Sequence, residues 1–440
     1  MGNIKCINSK NILTDRKIID LGGDLFLKSD NVNEQKKIVF SILDYPIKQN
    51  ESTIDVEISK VMKKHSIVGL QALVVVKGNV AWSSTYGYQS LESKKLMTEK
   101  TQFRIASISK LFTATAIMQL VEQNKADLDE DISTYLGFII RNPNFPDKKI
   151  TLYQLLTHTS SLNSDEINGN VYAKFISSSQ NENVPTLNEI FLDTGRYYNN
   201  NIWGKWKPGD HEQWTYSNLG SILIAAIIEK RTGKRFDQYI IEKIFEPLQI
   251  KNAEFTFPKN EQNENIATLY QWNSNSNGYI VTLDGSDIPK KFRWDDYVPG
   301  TNGGMFNPQG GLYISGEELS HFMIAHMQNG HYKNKRILKE NTAKLMKAVH
   351  WKSNNLNRFF TRMGLQIHIS SDFLLEFPNM VGHSGEAYGL LSDMYWEEDK
   401  EFGIIFLING CQFDLNDETR FSVETELATT IYQNIVQDLI

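Results

Sequence analysis

A serine and a lysine stand three residues apart at the start of the apolar segment FRIASISKLFTATAIMQL, residues 103–120. If this segment is helical, Ser107 and Lys110 share one face, because residues three apart on a helix are neighbours. An ammonium group that is buried loses proton affinity, and it could then accept the proton of the hydroxyl and make the serine a nucleophile. A capping serine followed by a lysine whose stem covers apolar surface has the same spacing, so the pair alone leaves both interpretations open.

A nucleophile of this kind needs polar groups on the opposite wall of a cleft, and Tyr-x-Asn directs two side chains to one side of an extended segment. Such triplets begin at Tyr197, Tyr198 and Tyr216. The first two lie in RYYNNNIW, which is typical of a loop. The third lies between a Pro-Gly turn and an apolar segment that predicts a helix over 218–233. Rigid elements position catalytic groups best, so we select Tyr216 and Asn218.

The third requirement is a strand edge with a polar side chain and a glycine that lets a substrate carbonyl approach the backbone. His383 and Gly385 form the one His-x-Gly triplet of the chain, directly before a hairpin predicted over 393–410. The triplet Arg231-Thr232-Gly233 carries a positive charge that the His-x-Gly triplet lacks. It ends a predicted helix, however, and is interpreted as the C-cap of that helix. Without the other two motifs, His383 would be interpreted as a turn residue.

The composition excludes several classes of function. The chain has 440 residues with 46 basic and 52 acidic side chains, a formal net charge of -6, which gives no basic surface for nucleic acid. No apolar run approaches the roughly 20 residues of a membrane span. The N-terminus lacks the pattern of a secretory signal, so we predict an intracellular protein.

Met1-Gly2 followed by Cys6 approaches a myristoylation pattern, which requires Ser or Thr where Cys6 stands. We favour an ordinary polar N-terminus; lipid anchoring at Gly2 and Cys6 is the alternative. The second cysteine is Cys411, and neither cysteine lies in a C-x-x-C motif, so both are interpreted as free thiols and no metal site is expected.

Strand patterns near both ends of the chain enclose a helical middle. This order predicts an α/β (α+β) protein: a polar extension at 1–50, then one domain at 51–440 in which a sheet part (51–105 and 306–440) carries an inserted, mainly helical lobe (106–305). Loops with short strands are expected over 255–305. The predicted helices span 53–65, 106–124, 151–158, 218–233, 236–248, 315–330 and 424–440, and strands are expected within 69–88, 364–369 and 393–410.

With the three motifs in this order, the sequence resembles the serine β-lactamase and penicillin-binding-protein superfamily, in its class C-like branch. That branch includes class C β-lactamases, DD-peptidases, D-aminopeptidases, esterases and the mitochondrial serine β-lactamase-like protein. The stretches LDEDISTYL, ITLYQLLTHTSSL and GGLYISGEELSHF are also similar to the family. The resemblance covers roughly residues 53–435 and implies an antiparallel sheet flanked by N- and C-terminal helices.

The resemblance implies a role for each motif residue. Ser107 would be the acylated nucleophile, with Lys110 and Tyr216 sharing the work of the general base. Asn218 would bind the substrate or hold Lys110, and His383 would help to bind or polarise the substrate and tune Tyr216. The reaction would need no cofactor and no metal.

The backbone N–H groups of Ser107 and Glu386 would form the oxyanion hole, beside Gly385. In many relatives a small residue occupies the position of Glu386. The carboxylate of Glu386 could select substrates by charge at the mouth of the oxyanion hole, or it could point to solvent. His158, in LLTHTSSL, matches a position that is usually histidine in this branch and supports packing beside the site.

We therefore predict a serine hydrolase that forms an acyl-enzyme on Ser107 and acts on esters, small amides or peptides. His383 replaces the lysine of true β-lactamases, which favours an esterase or peptidase over a β-lactamase. The alternatives are a D-amino-acid peptidase or β-lactamase of the same fold, and a self-assembling scaffold with little or no catalysis. A scaffold has no reason to retain Ser107, Lys110 and Tyr216 together.

Overall fold

The computed structural model describes residues 52–163, 185–255, 263–274, 277–283, 297–355, 358–413 and 419–440, and residues 37–38 by their backbone alone. The extension predicted over 1–50, including Gly2 and Cys6, therefore lies almost entirely outside the described residues. Cys411 is buried in the apolar cluster of the first and last helices.

The described residues form an antiparallel sheet of nine strands, which brings both ends of the chain together. Strands 402–408 and 69–76 pair along their full lengths and join the two sequence-distant parts. The strands expected within 69–88 form a hairpin that turns at Lys77 and Gly78, which have positive φ values of 48° and 75° as a tight turn requires. In spatial order the strands are β11 (Trp351–Lys352), β12 (Arg362–Met363), β13 (His368–Ser370), β14 (Met380–Ala387), β15 (Leu390–Glu397), β16 (Phe402–Ile408), β2 (Gly69–Val76), β3 (Asn79–Ser90) and β4 (Lys95–Leu96).

Shorter strands pair outside this sheet, and two of them fall within the region expected to hold loops with short strands. The small pairings are β1 (Lys37–Ile38) with β7 (Gly278–Leu283) and β7 with β6 (Leu269–Asn273), β5 (Phe103–Arg104) with β8 (Tyr313–Ile314), and β9 (His331–Tyr332) with β10 (Lys335–Arg336).

Helices cover both faces of the large sheet, as predicted. The first and last helices pack on one face over an apolar layer. The other face shares one continuous core with the helix 316–327 and with the helices of the middle of the chain. The helices are α1 (Thr53–Lys64), α2 (Ser109–Glu122), α3 (Ile132–Leu136), α4 (Leu152–Leu156), α5 (Leu187–Phe191), α6 (Asn218–Thr232), α7 (Phe236–Ile240), α8 (Gly316–Met327), α9 (Glu340–Lys347) and α10 (Ser422–Ile431). None of the helices in the described ranges is long and apolar enough to cross a membrane.

Two apolar helices, α2 and α6, form the centre of the helical part of the chain. Helix α2 is apolar nearly all round and is buried on all sides from Ser109 to Leu120. It packs against α6, which ends at Gly233 in the left-handed conformation expected of a C-cap glycine. The boundaries of the lobe at 106 and 305 stay a prediction.

Several predicted elements differ from the structure. The helix predicted over 236–248 is α7 followed by a π-helical turn, Ile241–Phe245, and the last helix ends in a similar turn at Tyr432–Val436. The strand predicted over 364–369 is interrupted because Gln366 turns away from the sheet. Its backbone N–H donates to the carbonyl of Leu156, the last residue of α4, instead of to a neighbouring strand.

Candidate active site

Ser107 and Lys110 lie at the junction between a short 3-10 turn and helix α2. The turn, Ala106–Ile108, leads directly into α2. Its first residue, Ala106, has a left-handed φ of 45°, which is uncommon for a residue other than glycine. The predicted helix thus begins later, at Ser109, but residues three apart in a 3-10 turn also face the same side. Lys110 Nζ lies 3.0 Å from Ser107 Oγ.

The Lys110 ammonium is fully buried and donates a second hydrogen bond, of 2.7 Å, to the backbone carbonyl of Gln309. This carbonyl was not predicted from the sequence. A backbone oxygen has no side-chain signature, and the available signal was the turn-forming Asn-Pro-Gln-Gly-Gly at 307–311. Asn307 has a φ of 48°, and its own carbonyl accepts the N–H groups of Gly310 and Gly311, which fixes the turn.

Tyr216 lies on the other side of Lys110. Its ring is fully buried, and its centre is 4.8 Å from Lys110 Nζ. Phe360 stacks on one face of the ring at 5.2 Å and His158 stacks on it at 4.6 Å. Asn218, half-buried, is the first residue of α6. The structure therefore brings the first two motifs together although 106 residues separate Lys110 and Tyr216 in the chain.

Strand β14 carries the third motif along a partly open edge. It pairs with β15 over its full length, whereas β13 covers only Met380 to Gly382. Among the described residues, no strand pairs with β14 on that side from His383 onward. Gly385 lies against the turn of Ser107: a β-carbon there would be 2.4 Å from the Ile105 carbonyl oxygen and 3.1 Å from the Ser107 amide nitrogen.

His383 is a buried, neutral imidazole of defined tautomer. Its Nδ1 atom contacts the carbonyl oxygen of Ser384. Because a carbonyl can only accept, Nδ1 carries the proton and Nε2 presents a lone pair. Burial, reinforced by the charge of Lys110, lowers the pKa of His383 to about 3. The ring centre lies 6.2 Å from that of Tyr216.

Both expectations for the Glu386 side chain are wrong. The side chain is only 3% exposed, so it does not point to solvent. Side chains alternate along a strand, so Glu386 shares the face of Ser384, opposite His383. Its partner in β15, Leu391, belongs to the apolar layer under α1 and α10. The carboxylate thus does not lie at the face that carries Ser107, and only the backbone N–H of Glu386 stays a candidate for the oxyanion hole.

A buried charged network supports β14 from behind. Arg420 donates to Asp393 at 2.9 Å and to the hydroxyl of Ser384 at 3.2 Å, and Glu424 lies 3.6 Å away. Burial and the nearby Glu424 raise the pKa of Asp393 well above its usual range. Local patterns do not predict this network, since its members come from three separate elements.

The chain is similar to known proteins over most of its length. The beta-lactamase family model matches residues 54–426. Protein flp of Staphylococcus aureus (strain MW2) is 25% identical over 364 residues, 82% of this chain and 63% of that protein. The chain thus spans just under two thirds of that relative.

Two solved structures are similar in fold. A superposition with the octameric penicillin-binding protein homologue from Pyrococcus abyssi gives a TM-score of 0.66 at 22% identity, covering 88% of this chain and 77% of that one. The D-amino acid amidase from Ochrobactrum anthropi SV3, complexed with D-phenylalanine, gives 0.61 at 20% identity, covering 88% and 100%. The family model extends over most of the chain and the fold is shared, so this protein belongs to the beta-lactamase family.

Proposed function

We propose that this protein is a serine hydrolase that forms an acyl-enzyme on Ser107 and acts on esters or small amides. The observation that carries the proposal is the contact of a fully buried lysine with a serine hydroxyl, 3.0 Å from Nζ to Oγ, beside a buried tyrosine ring. The family assignment supports the reaction class, and the roles of the individual residues are part of the proposal.

In the first step, the phenolate form of Tyr216, which the neighbouring charge of Lys110 favours, accepts the proton of Ser107 while Oγ attacks the substrate carbonyl carbon; Lys110 would share this work only as the neutral amine. The N–H groups of Ser107 and Glu386 would hold the developing oxyanion. The carbon–oxygen or carbon–nitrogen bond of the leaving group then breaks, and the leaving group takes the proton that Ser107 lost. Water attacks the acyl-enzyme in the same manner, which releases the acid and restores the hydroxyl.

His383 supports a preference for uncharged acyl groups. A neutral imidazole with a lone pair on Nε2 provides no positive charge for a substrate carboxylate, unlike the lysine found there in true β-lactamases. The neutral state follows from burial and from the proximity of Lys110. We therefore favour esters and small amides over β-lactams, and Asn218 is proposed to contact the substrate or Lys110.

A D-amino-acid peptidase of the same fold is the second candidate. Its support is the fold shared with the D-amino acid amidase, at 20% identity. A self-assembling scaffold without catalysis is the alternative from another class.

Turnover assays separate these functions. The purified protein should be tested on p-nitrophenyl esters, on paired D- and L-aminoacyl anilides, and on a chromogenic cephalosporin, with Ser107→Ala and Lys110→Met as controls. We expect ester hydrolysis that both substitutions abolish. Faster turnover of the D-anilides than of the esters would favour the peptidase, and no turnover of any substrate would favour the scaffold.

A further inference from the structure

His158 touches the segment of Tyr216 at three points. Its backbone carbonyl accepts the N–H of Thr215 at 3.2 Å, and its Nδ1 atom accepts the N–H of Ser217 at 3.2 Å. Its ring stacks on the ring of Tyr216, with centres 4.6 Å apart and planes 27° apart. The two hydrogen bonds thus hold the residues on either side of Tyr216, and the stacking holds Tyr216 itself.

The hydrogen bond to Ser217 defines the state of the imidazole. A backbone N–H can only donate, so Nδ1 of His158 must be unprotonated and a neutral ring carries its proton on Nε2. This tautomer is the opposite of that of His383. The surroundings maintain it: the side chain is 2% exposed, and burial together with the charge of Lys110 lowers the pKa of His158 well below its usual value.

The backbone of His158 is itself shaped for this contact. Its φ is 57°, in the left-handed region that costs residues other than glycine or asparagine free energy. The residue follows α4 closely, and the carbonyl of the preceding Thr157 accepts the indole N–H of Trp214 at 2.9 Å. The end of α4 therefore binds the chain from Trp214 to Ser217, and such strain is retained where the surrounding structure requires it.

We propose that His158 is the positioning residue that holds the Tyr216 phenol beside Lys110 and Ser107. It acts through the Ser217 amide and the Tyr216 ring and takes no part in bond making. The inference rests on the proposed function, because a position for Tyr216 matters to a rate only if Tyr216 takes part in catalysis.

Three substitutions test the proposal in the full chain. In His158→Asn, the amide oxygen occupies approximately the place of Nδ1, and asparagine tolerates a positive φ. His158→Leu removes the acceptor at similar size. Thr159→Val is the matched control, because Thr159 is equally buried and its side chain bonds Thr157 at 2.9 Å rather than the Tyr216 segment.

With a p-nitrophenyl ester, we expect His158→Leu to lower kcat about 100-fold with little change in KM, the effect of misplacing a catalytic group by about 1 Å. The kcat of His158→Asn should be at least about tenfold higher than that of His158→Leu. Thr159→Val should keep a kcat near that of the wild type, even if its Tm is lower. Equal losses in the Leu and Asn variants, or a similar loss in Thr159→Val at a matched Tm, would overturn the positioning role.

A second measurement does not depend on activity. Nitrogen NMR of the His158 ring should show the neutral Nε2–H tautomer throughout the pH range in which a free imidazole titrates; an Nδ1–H tautomer would contradict the contact with Ser217. If the wild type hydrolyses nothing, the proposed function fails and the rate argument with it. If the wild type is active and His158→Leu is equally active, the positioning role alone fails.

Discussion

Gly385 lies so close to Ser107 that a β-carbon on the glycine would be 3.1 Å from the amide nitrogen of the serine. The strand that carries His383 and the turn that carries Ser107 can therefore approach only through a residue without a side chain. This contact fixes the distance between the strand that carries His383 and the turn that carries Ser107.

Gly385→Ala is accordingly expected to separate the two parts. The added carbon would be 2.4 Å from the Ile105 carbonyl and 2.5 Å from Ser392 Oγ, so β14 has to move. We expect kcat for ester hydrolysis to fall about 100-fold or more.

The control for this variant is Gly220→Ala, in helix α6. There the β-carbon would meet its nearest neighbour, the Leu155 carbonyl oxygen, at an ordinary 3.6 Å. Because alanine favours helix, this variant should keep its activity and gain up to about 1 kcal/mol in the free energy of unfolding. A Gly385→Ala enzyme with wild-type kcat would show that the close approach does not matter for catalysis.

The neutral state of His383 predicts discrimination against carboxylates. A chromogenic cephalosporin with its free carboxylate should be turned over at least about tenfold more slowly than the methyl ester of the same compound, since no charged hydrogen bond holds the carboxylate. The values of kcat/KM for the two compounds give the comparison. His383→Lys should narrow the ratio, and a wild-type preference for the free acid would refute this interpretation of His383.

Removal of Arg420 should destabilise the protein strongly. Asp393 and Glu424 are both buried, and loss of the guanidinium would leave them without their cationic partner. Arg420→Met is expected to lower the free energy of unfolding by about 3–5 kcal/mol in urea denaturation.

The exposed pair of Lys344 and Glu340, at 2.6 Å, supplies the comparison for Arg420. Lys344→Ala should cost at most about 0.5 kcal/mol. Equal effects of the two substitutions would mean that the buried network does not stabilise β14.

The buried neutral histidines should make the folded state sensitive to acid below pH 6.5. Burial lowers the pKa of His326 to about 3 from its usual 6.5, and the pKa values of His158, His368 and His383 are lowered as well. The unfolded chain therefore binds more protons below pH 6.5, and the stabilisation present above that pH is lost progressively as the pH falls toward 3.

Each such histidine adds about 1.4 kcal/mol per pH unit to the slope of unfolding free energy. His326, which bonds Thr115 at 3.0 Å and lies outside the candidate site, isolates one of these contributions. Unfolding of His326→Gln, measured at several pH values below 6.5, should show a slope smaller by about that amount. An unchanged slope would mean that His326 titrates normally in the folded protein.

Elements defined by local patterns were predictable. The turn at Lys77 and Gly78, the cap in which Ser315 accepts the N–H of Glu318, and the C-cap at Gly233 follow from a few adjacent residues, and the structure contains all three. Strand patterns at both ends of the chain predicted a discontinuous α/β domain, and the resemblance to the family implied that its sheet is antiparallel and flanked by terminal helices.

Features that depend on distant contacts were not predictable. The carbonyl of Gln309 reaches Lys110 across 199 residues, and Arg420 meets Asp393 across 27. The direction of the Glu386 side chain depends on the register of β14, which the sequence does not define. His158 was recognised as a packing residue, but its hydrogen bond to Ser217 spans 59 residues and could be found only in the structure.

Covalent labelling of Ser107 tests the central claim most directly. The purified protein should be treated with a fluorophosphonate, and its intact mass and labelled peptide should be measured beside those of Ser107→Ala. We predict one adduct per chain, on the peptide that contains Ser107, and none in the variant. A wild type that stays unlabelled, or a Ser107→Ala protein that is labelled equally, would contradict the assignment of Ser107 as the nucleophile.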